Sequence, residues 1–148
     1  MHSSIHRILL VYDATDESHA ALLRCSQLSV ELSAQVDVVL VVDLVSSTAR
    51  SAGTLNDLVY SHLEEAARHT LWAAVDQLAD KGVTAQGHLT FGRTVDAILR
   101  QVAVLNSHIV VVGHRTRKGL SRWLGGRPMH LVLAKRLRES TLVTVTLP

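Results

Sequence analysis

Two stretches of this chain, Ile8-Leu9-Leu10-Val11-Tyr12, ending at Asp13, and Ile109-Val110-Val111-Val112, stopped by Gly113, contain no strongly polar residue at all. A strand with one wet face alternates apolar and polar positions. A strand-length run without that alternation is covered on both faces, which is the situation of a parallel sheet between two helical layers. Val36 to Val42 is a third such run, interrupted only by Asp37, and Leu142 to Leu147 alternates Val with Thr. Val83 to Phe91 alternates more loosely and reads as a less deeply buried strand.

The intervening segments carry helical spacing. Asp16 to Ser33 places Ala20, Leu23, Leu28 and Leu32 near one face, with Thr15 or Asp16 as N-cap. Leu55 to Asp80 carries Leu55, Leu58, Val59, Leu63, Ala66, Leu71, Val75 and Leu78 on one stripe, and Trp72 reads by position as a core residue. Lys81-Gly82 stops that helix. Thr94 to Leu105 presents Val95, Ile98, Leu99 and Val102 as its buried face, and Pro128 to Arg138 opens with a proline in its first turn. The order is β-α-β-α-β-α-β-α-β. Right-handed crossovers turn that order into an α/β three-layer sandwich, a five-stranded parallel sheet doubly wound in the order 3-2-1-4-5. With no repeat and no linker, residues 1–148 read as a single domain.

Composition removes several classes of function. A hydrophobic share of 47% excludes a disordered chain, and an aromatic share of 3% argues against a stacking platform for nucleic acid. No run approaches the roughly 18 apolar residues of a membrane span. Met1 to Arg7 lacks the apolar core of an export signal. The one cysteine, Cys25, makes neither an internal disulfide nor a zinc cluster and reads as buried and inert. A reduced, cytoplasmic setting follows, with no membrane and no nucleic acid as partner.

The net charge of +2 hides an asymmetry: residues 1–113 carry 12 acids against 7 Lys/Arg, residues 114–148 carry 1 against 8. A single basic segment on an acidic domain points to an anion bound at one place, the alternative being a solvated charged helix face. In an open parallel sheet the ligand crevice lies beyond the carboxyl ends of the strands, where the winding reverses. Those ends are Tyr12-Asp13-Ala14-Thr15 and Gly113-His114-Arg115-Thr116, the second continuing through a glycine-bounded basic loop to Gly126-Arg127-Pro128. Glycines admit a phosphate close to the backbone, and the following helix start offers free N–H groups.

The residues Ile8 to Ser18, Gly92-Arg93-Thr94, Ile109 to Arg115 and Gly119-Leu120-Ser121-Arg122-Trp123-Leu124-Gly125-Gly126 resemble the universal stress protein family over essentially the whole chain. The resemblance implies a Rossmann-like, adenine nucleotide alpha hydrolase-like sandwich, usually a homodimer through the last strand. It also implies adenine nucleotide binding (ATP, ADP or AMP) at a motif of Gly, two residues, Gly, nine residues, Gly, then Ser or Thr. Gly113 and Gly126 match; Thr116 replaces the second glycine and Arg127 the hydroxyl residue, with Pro128 after it. Thr116 narrows the phosphate space, whereas the Arg127 guanidinium can clamp phosphate. On this pattern Asp13, Ala14, Thr15 and Val41 serve the adenosine end, and Gly113, Arg115, Thr116, Gly126 and Arg127 the phosphates. Asp13 has a plainer role too, as a cap of the first helix.

Other chemistry finds little support. The nine histidines fall in no metal-ligand spacing, and His62 and His69 read as solvated helix residues, as do Glu64 and Glu65. Ser121 has no base at fixed spacing, no Walker A loop is present, and Trp123 packs its loop down. Asp43 to Thr54 has the composition of a flexible loop or lid. Two rivals to a nucleotide-binding regulator remain: a nucleotide-independent dimer docking a protein partner, and a slow nucleotide hydrolase with Asp13 as its only base or Mg²⁺ ligand. The uncharged edge Leu142 to Leu147 favours pairing with a second copy.

Overall fold

Strands β1 (Arg7–Val11), β2 (Gln35–Val42), β3 (Ala85–Phe91), β4 (Ile109–Arg115) and β5 (Thr141–Leu147) form one sheet. Its order is β3-β2-β1-β4-β5 and every pairing is parallel. Helices α1 (Asp16–Leu32), α2 (Asp57–Asp80), α3 (Thr94–Leu105) and α4 (Met129–Arg136) connect the strands. This is a computed structural model, and it describes residues 7–43, 57–117 and 126–148. The sequence expectations for the loop between Asp43 and Thr54, and for Ser121 and Trp123, lie outside the described residues.

The apolar runs supply both faces of the sheet. Ile8, Leu10, Val36, Val38 and Leu40 turn toward α1 and α2, where Ala21, Leu22, Cys25, Leu71, Ala74 and Leu78 meet them. Leu9, Val11, Val39, Val110 and Val112 turn the other way, onto Ile98 of α3 and Leu133 of α4. Successive strand residues therefore serve different cores, which is why neither central run tolerates a polar position. Each fully buried aliphatic side chain contributes roughly 1.5–3 kcal/mol relative to exposure. The exception is Asp37, only 2% exposed, whose Oδ2 takes Arg7 Nη2 at 3.1 Å and whose Oδ1 meets His88 Nε2 at 2.9 Å. Pairing across three adjacent strands offsets the cost of burying that carboxylate.

Four local expectations are corrected. Trp72 is 53% exposed, and the buried stripe of α2 runs through Ala67, Leu71, Ala74 and Leu78. Leu58 and Ala66 lie on the wet side. On α1 the buried apolar positions are Ala21, Leu22 and Cys25, while Leu23 is exposed. β4 does not stop at Gly113 but pairs on through His114↔Thr146 and Arg115↔Leu147, because β5 continues alongside it. Pro128 stands just outside α4 as its N-cap, and Leu137 already closes the helix.

Candidate functional site

The exit of β1 is organised by its own side chains. Asp13 Oδ1 accepts the N–H of Thr15 at 3.1 Å and the Thr15 hydroxyl at 2.5 Å, folding the chain back over Ala14. Ala14 sits at φ 66°, a left-handed conformation that costs an alanine about 1 kcal/mol. The turn delivers Thr15 to the N-cap of α1, where its Oγ1 accepts the N–H of Ser18 at 3.2 Å. Ser18 Oγ in turn donates to Thr15 O and accepts from Asp13 N–H. Thr15, not Asp13, is thus the cap, and Asp13 holds the turn that positions it.

The exit of β4 lies against this turn. A Cβ on Gly113 would collide with the carbonyl of Glu17 and stand 2.8 Å from Ser18 N, so only glycine lets α1 pack this close to β4. Arg115 then reaches over the first turn of α1, its Nη2 3.2 Å from Asp16 Oδ2 and its Nε 3.6 Å from Glu17 Oε2. Arg117 Nη1 donates to Gly126 O at 3.2 Å, tying together the residues that flank 118–125.

Between the two exits opens a cavity of about 590 Å³, within the range of small-ligand sites. Asp13, Thr15 and Glu17 form one wall, Gly113 to Arg117 another, and Pro128, Met129 and His130 at the start of α4 a third, with Pro148 at the rim. The carboxylates of Asp13 and Glu17 balance the guanidiniums of Arg115 and Arg117. His114 and His130 lie ring against ring, centroids 4.2 Å apart and tilted by 48°. Loss of solvent, and then the neighbouring His114, push the pKa of His130 below its ordinary value. Nδ1 of His130 is shielded and has no hydrogen-bond partner among the described residues.

Of the residues singled out from sequence, Asp13, Thr15, Gly113, Arg115 and Thr116 line this cavity. Ala14, Val41, Gly126 and Arg127 do not. Val41 lies half-buried on β2 beside Thr90, packed onto the core beneath α3 and α4. Gly126 and Arg127 are exposed. Glu17 and His130 are the lining groups that sequence reasoning passed over. An acid in the first turn of a helix is a weak signal for Glu17, since dipole compensation alone explains it. No spacing signals His130, whose meeting with His114 depends on α4 folding back across β4.

A second cavity, about 620 Å³, lies at the other end of the sheet between the last turns of α3 and α4. Asn106, Ser107, His108, Lys135, Arg136 and Arg138 are among its lining residues. Arg136 is held by Asp96 at 2.8 Å. Cys25, fully buried, has its thiol pushed up to about 12 by burial. Among the described residues no cluster of three or more His, Cys, Asp or Glu could hold a metal ion, and no helix is long and apolar enough to cross a membrane.

The model of the universal stress protein family matches residues 4–135. Among solved structures, the hypothetical protein MJ0577 superposes with a TM-score of 0.77 at 16% identity, covering 99% of both chains. A universal stress protein in complex with cAMP gives 0.62 at 20% identity, again covering 99% of each. The universal stress protein from Archaeoglobus fulgidus in complex with dAMP gives 0.63 at 14%, covering 95% of this chain and 97% of that one. At these identities the likeness is one of fold. No curated protein matches the chain in sequence.

Proposed function

The chain belongs to the universal stress protein family, and from that premise we propose that it binds an adenine nucleotide in the cavity between the exits of β1 and β4, as a regulator rather than a catalyst. The observation that carries this reading is the cavity itself, placed where the winding of the sheet reverses and faced by the first turns of α1 and α4. The complexes of two structural neighbours with cAMP and dAMP support it. Asp13, Ala14 and Thr15 take the ribose side, with the base directed toward Val41 on β2. Gly113, Arg115 and Thr116 face the phosphoryl side, with Gly126 and Arg127 at its edge.

The charge balance favours one phosphoryl group over three. Two carboxylates offset the two lining guanidiniums, and Arg115 is already engaged by Asp16 and Glu17. A triphosphate therefore gains little that a monophosphate does not. Thr116 and Arg127, where the family motif has Gly and Ser or Thr, point the same way. Calorimetry with AMP and ATP tests the reading. AMP is expected to bind at micromolar concentration and no more weakly than ATP, with Asp13→Ala weakening AMP about tenfold through loss of roughly one hydrogen-bonded anchor. No heat from the wild-type protein at millimolar AMP and ATP overturns it.

A further inference from the structure

The cavity has a cationic reserve that its charge balance conceals. Arg115 and Arg117 are matched by Asp13 and Glu17, so a phosphoryl dianion entering this space meets no net positive charge from them. The two imidazoles, one on the β4 wall and one on the wall at the start of α4, are in contact, and one ring nitrogen of His130 is shielded and unpartnered among the described residues. Such a nitrogen is an unused donor or acceptor position. His114 leaves the end of β4 and His130 is the second residue of α4, so a group seated on the pair also faces a helix start.

We infer that the His114–His130 pair is the seat of the nucleotide's phosphoryl group and that it takes up a proton when that group binds. The inference rests on the nucleotide reading above and adds to it the residues that select a phosphorylated ligand. In the free protein, burial, the second imidazole and the start of α4 all disfavour the charged form of His130. An approaching dianion reverses that preference and makes a charge-assisted hydrogen bond to the protonated ring. The pair thereby substitutes for the hydroxyl that Arg127 displaces from the family motif.

The direction of the pH effect follows. Binding that takes up a proton strengthens as pH falls, by at most about tenfold per pH unit for one proton. It levels off near pH 6, where a phosphate monoester itself begins to gain a proton. The charged groups facing the pair are Asp13 from the β1 exit, Asp16 and Glu17 from α1, Arg115 at the end of β4 and Arg117 just beyond it. From α3, packed on α4, come Arg93, Asp96 and Arg100, of which Asp96 holds Arg136 and Arg100 bonds Phe91 O. β5 carries no titratable side chain.

The test is calorimetry with AMP, adenosine and inorganic phosphate between pH 8.0 and 6.5, in two buffers of different ionisation enthalpy so that proton uptake is read directly. AMP affinity is expected to rise by up to about thirtyfold across the range with uptake of about one proton, adenosine affinity to stay constant. His130→Gln and His114→Gln, each checked for an unchanged melting profile, are expected to flatten the AMP profile to within about twofold while leaving adenosine untouched. Inorganic phosphate that follows the AMP profile assigns the effect to the phosphoryl group alone; phosphate that does not bind assigns it to the phosphoryl held by its nucleoside. AMP binding without proton uptake, or with a profile that survives both variants, overturns the inference and leaves nucleotide binding standing. Absence of binding by AMP and adenosine alike removes both.

Discussion

At the carboxyl end of the sheet an aspartate, an arginine and a histidine pair surround an open cavity of about 590 Å³. Toward the amino end an aspartate, an arginine and a histidine also meet, but Arg7 and His88 close directly on the buried Asp37. A cavity of about 620 Å³ lies there too, lined by Lys135, Arg136 and Arg138. Neither size nor residue type separates the two ends. The field does. α1 and α4 begin at the upper cavity with their free N–H groups, whereas α3 and α4 finish at the lower one with their free carbonyls. The basic side chains in the last turn of α4 answer that negative helix end, and so have work other than holding a ligand. The upper end has its groups half-committed, which is what a binding site needs; the lower end has spent them on the fold.

Four substitutions bear on this contrast. The largest effect is expected from Gly113→Ala, whose Cβ meets the backbone of Glu17 rather than a side chain that can swing away. A loss of about 3 kcal/mol in denaturant unfolding is expected. A loss below about 1 kcal/mol would show that α1 and β4 are free to part, and that the upper cavity is not held open by close packing. Next comes Asp37→Ala at the lower end, expected to cost about 2 kcal/mol. Arg7 and His88 keep some solvent, which holds the penalty below that of a fully buried pair. Asp13→Ala at the upper end should cost less than half as much, since its partners are exposed. Equal losses for the two aspartates would erase the distinction between lock and site. The smallest effect is Ala14→Gly, expected to stabilise by about 0.5 kcal/mol, because relief of the positive φ outweighs the added freedom of the unfolded chain. A loss of stability there means the β1 exit is not strained.

The sequence discloses what double burial forces on it. β1, β2 and β4 were legible because a strand covered on both faces has nowhere to put a polar side chain, and strand count and winding followed from that. α2 was misread in part because two of its four most buried positions are alanines. Large residues such as Leu58 and Trp72 drew the stripe away from Ala67 and Ala74. The apolar run of β4 ends before the strand does, because at Gly113 the glycine serves the approach of α1 while the ladder to β5 runs on. Asp13, Gly113 and Arg115 could be placed at the crevice because each lies within a few residues of a legible strand end. His130 could not, since its proximity to His114 is a property of how α4 crosses the sheet. Val41 shows the limit of a strand-end argument: it stands on a neighbouring strand, outside the cavity walls.

The register of the central strand has a consequence for how the molecule is assembled. Ile8 lies beside Val36 on one side and beside Ile109 on the other. The first contact is nearby along the chain; the second closes a loop of about two thirds of its length, and loops of that kind are entropically the late ones to form. The upper cavity straddles this second seam, with one wall on each side of it. On the binding reading proposed above, an anion held there recognises only chains whose longest-range pairing is complete. Occupancy then draws molecules out of the half-assembled pool by mass action, and the melting temperature climbs with ligand concentration. On the nucleotide reading proposed above, ligand concentration then also sets how many copies are fully folded.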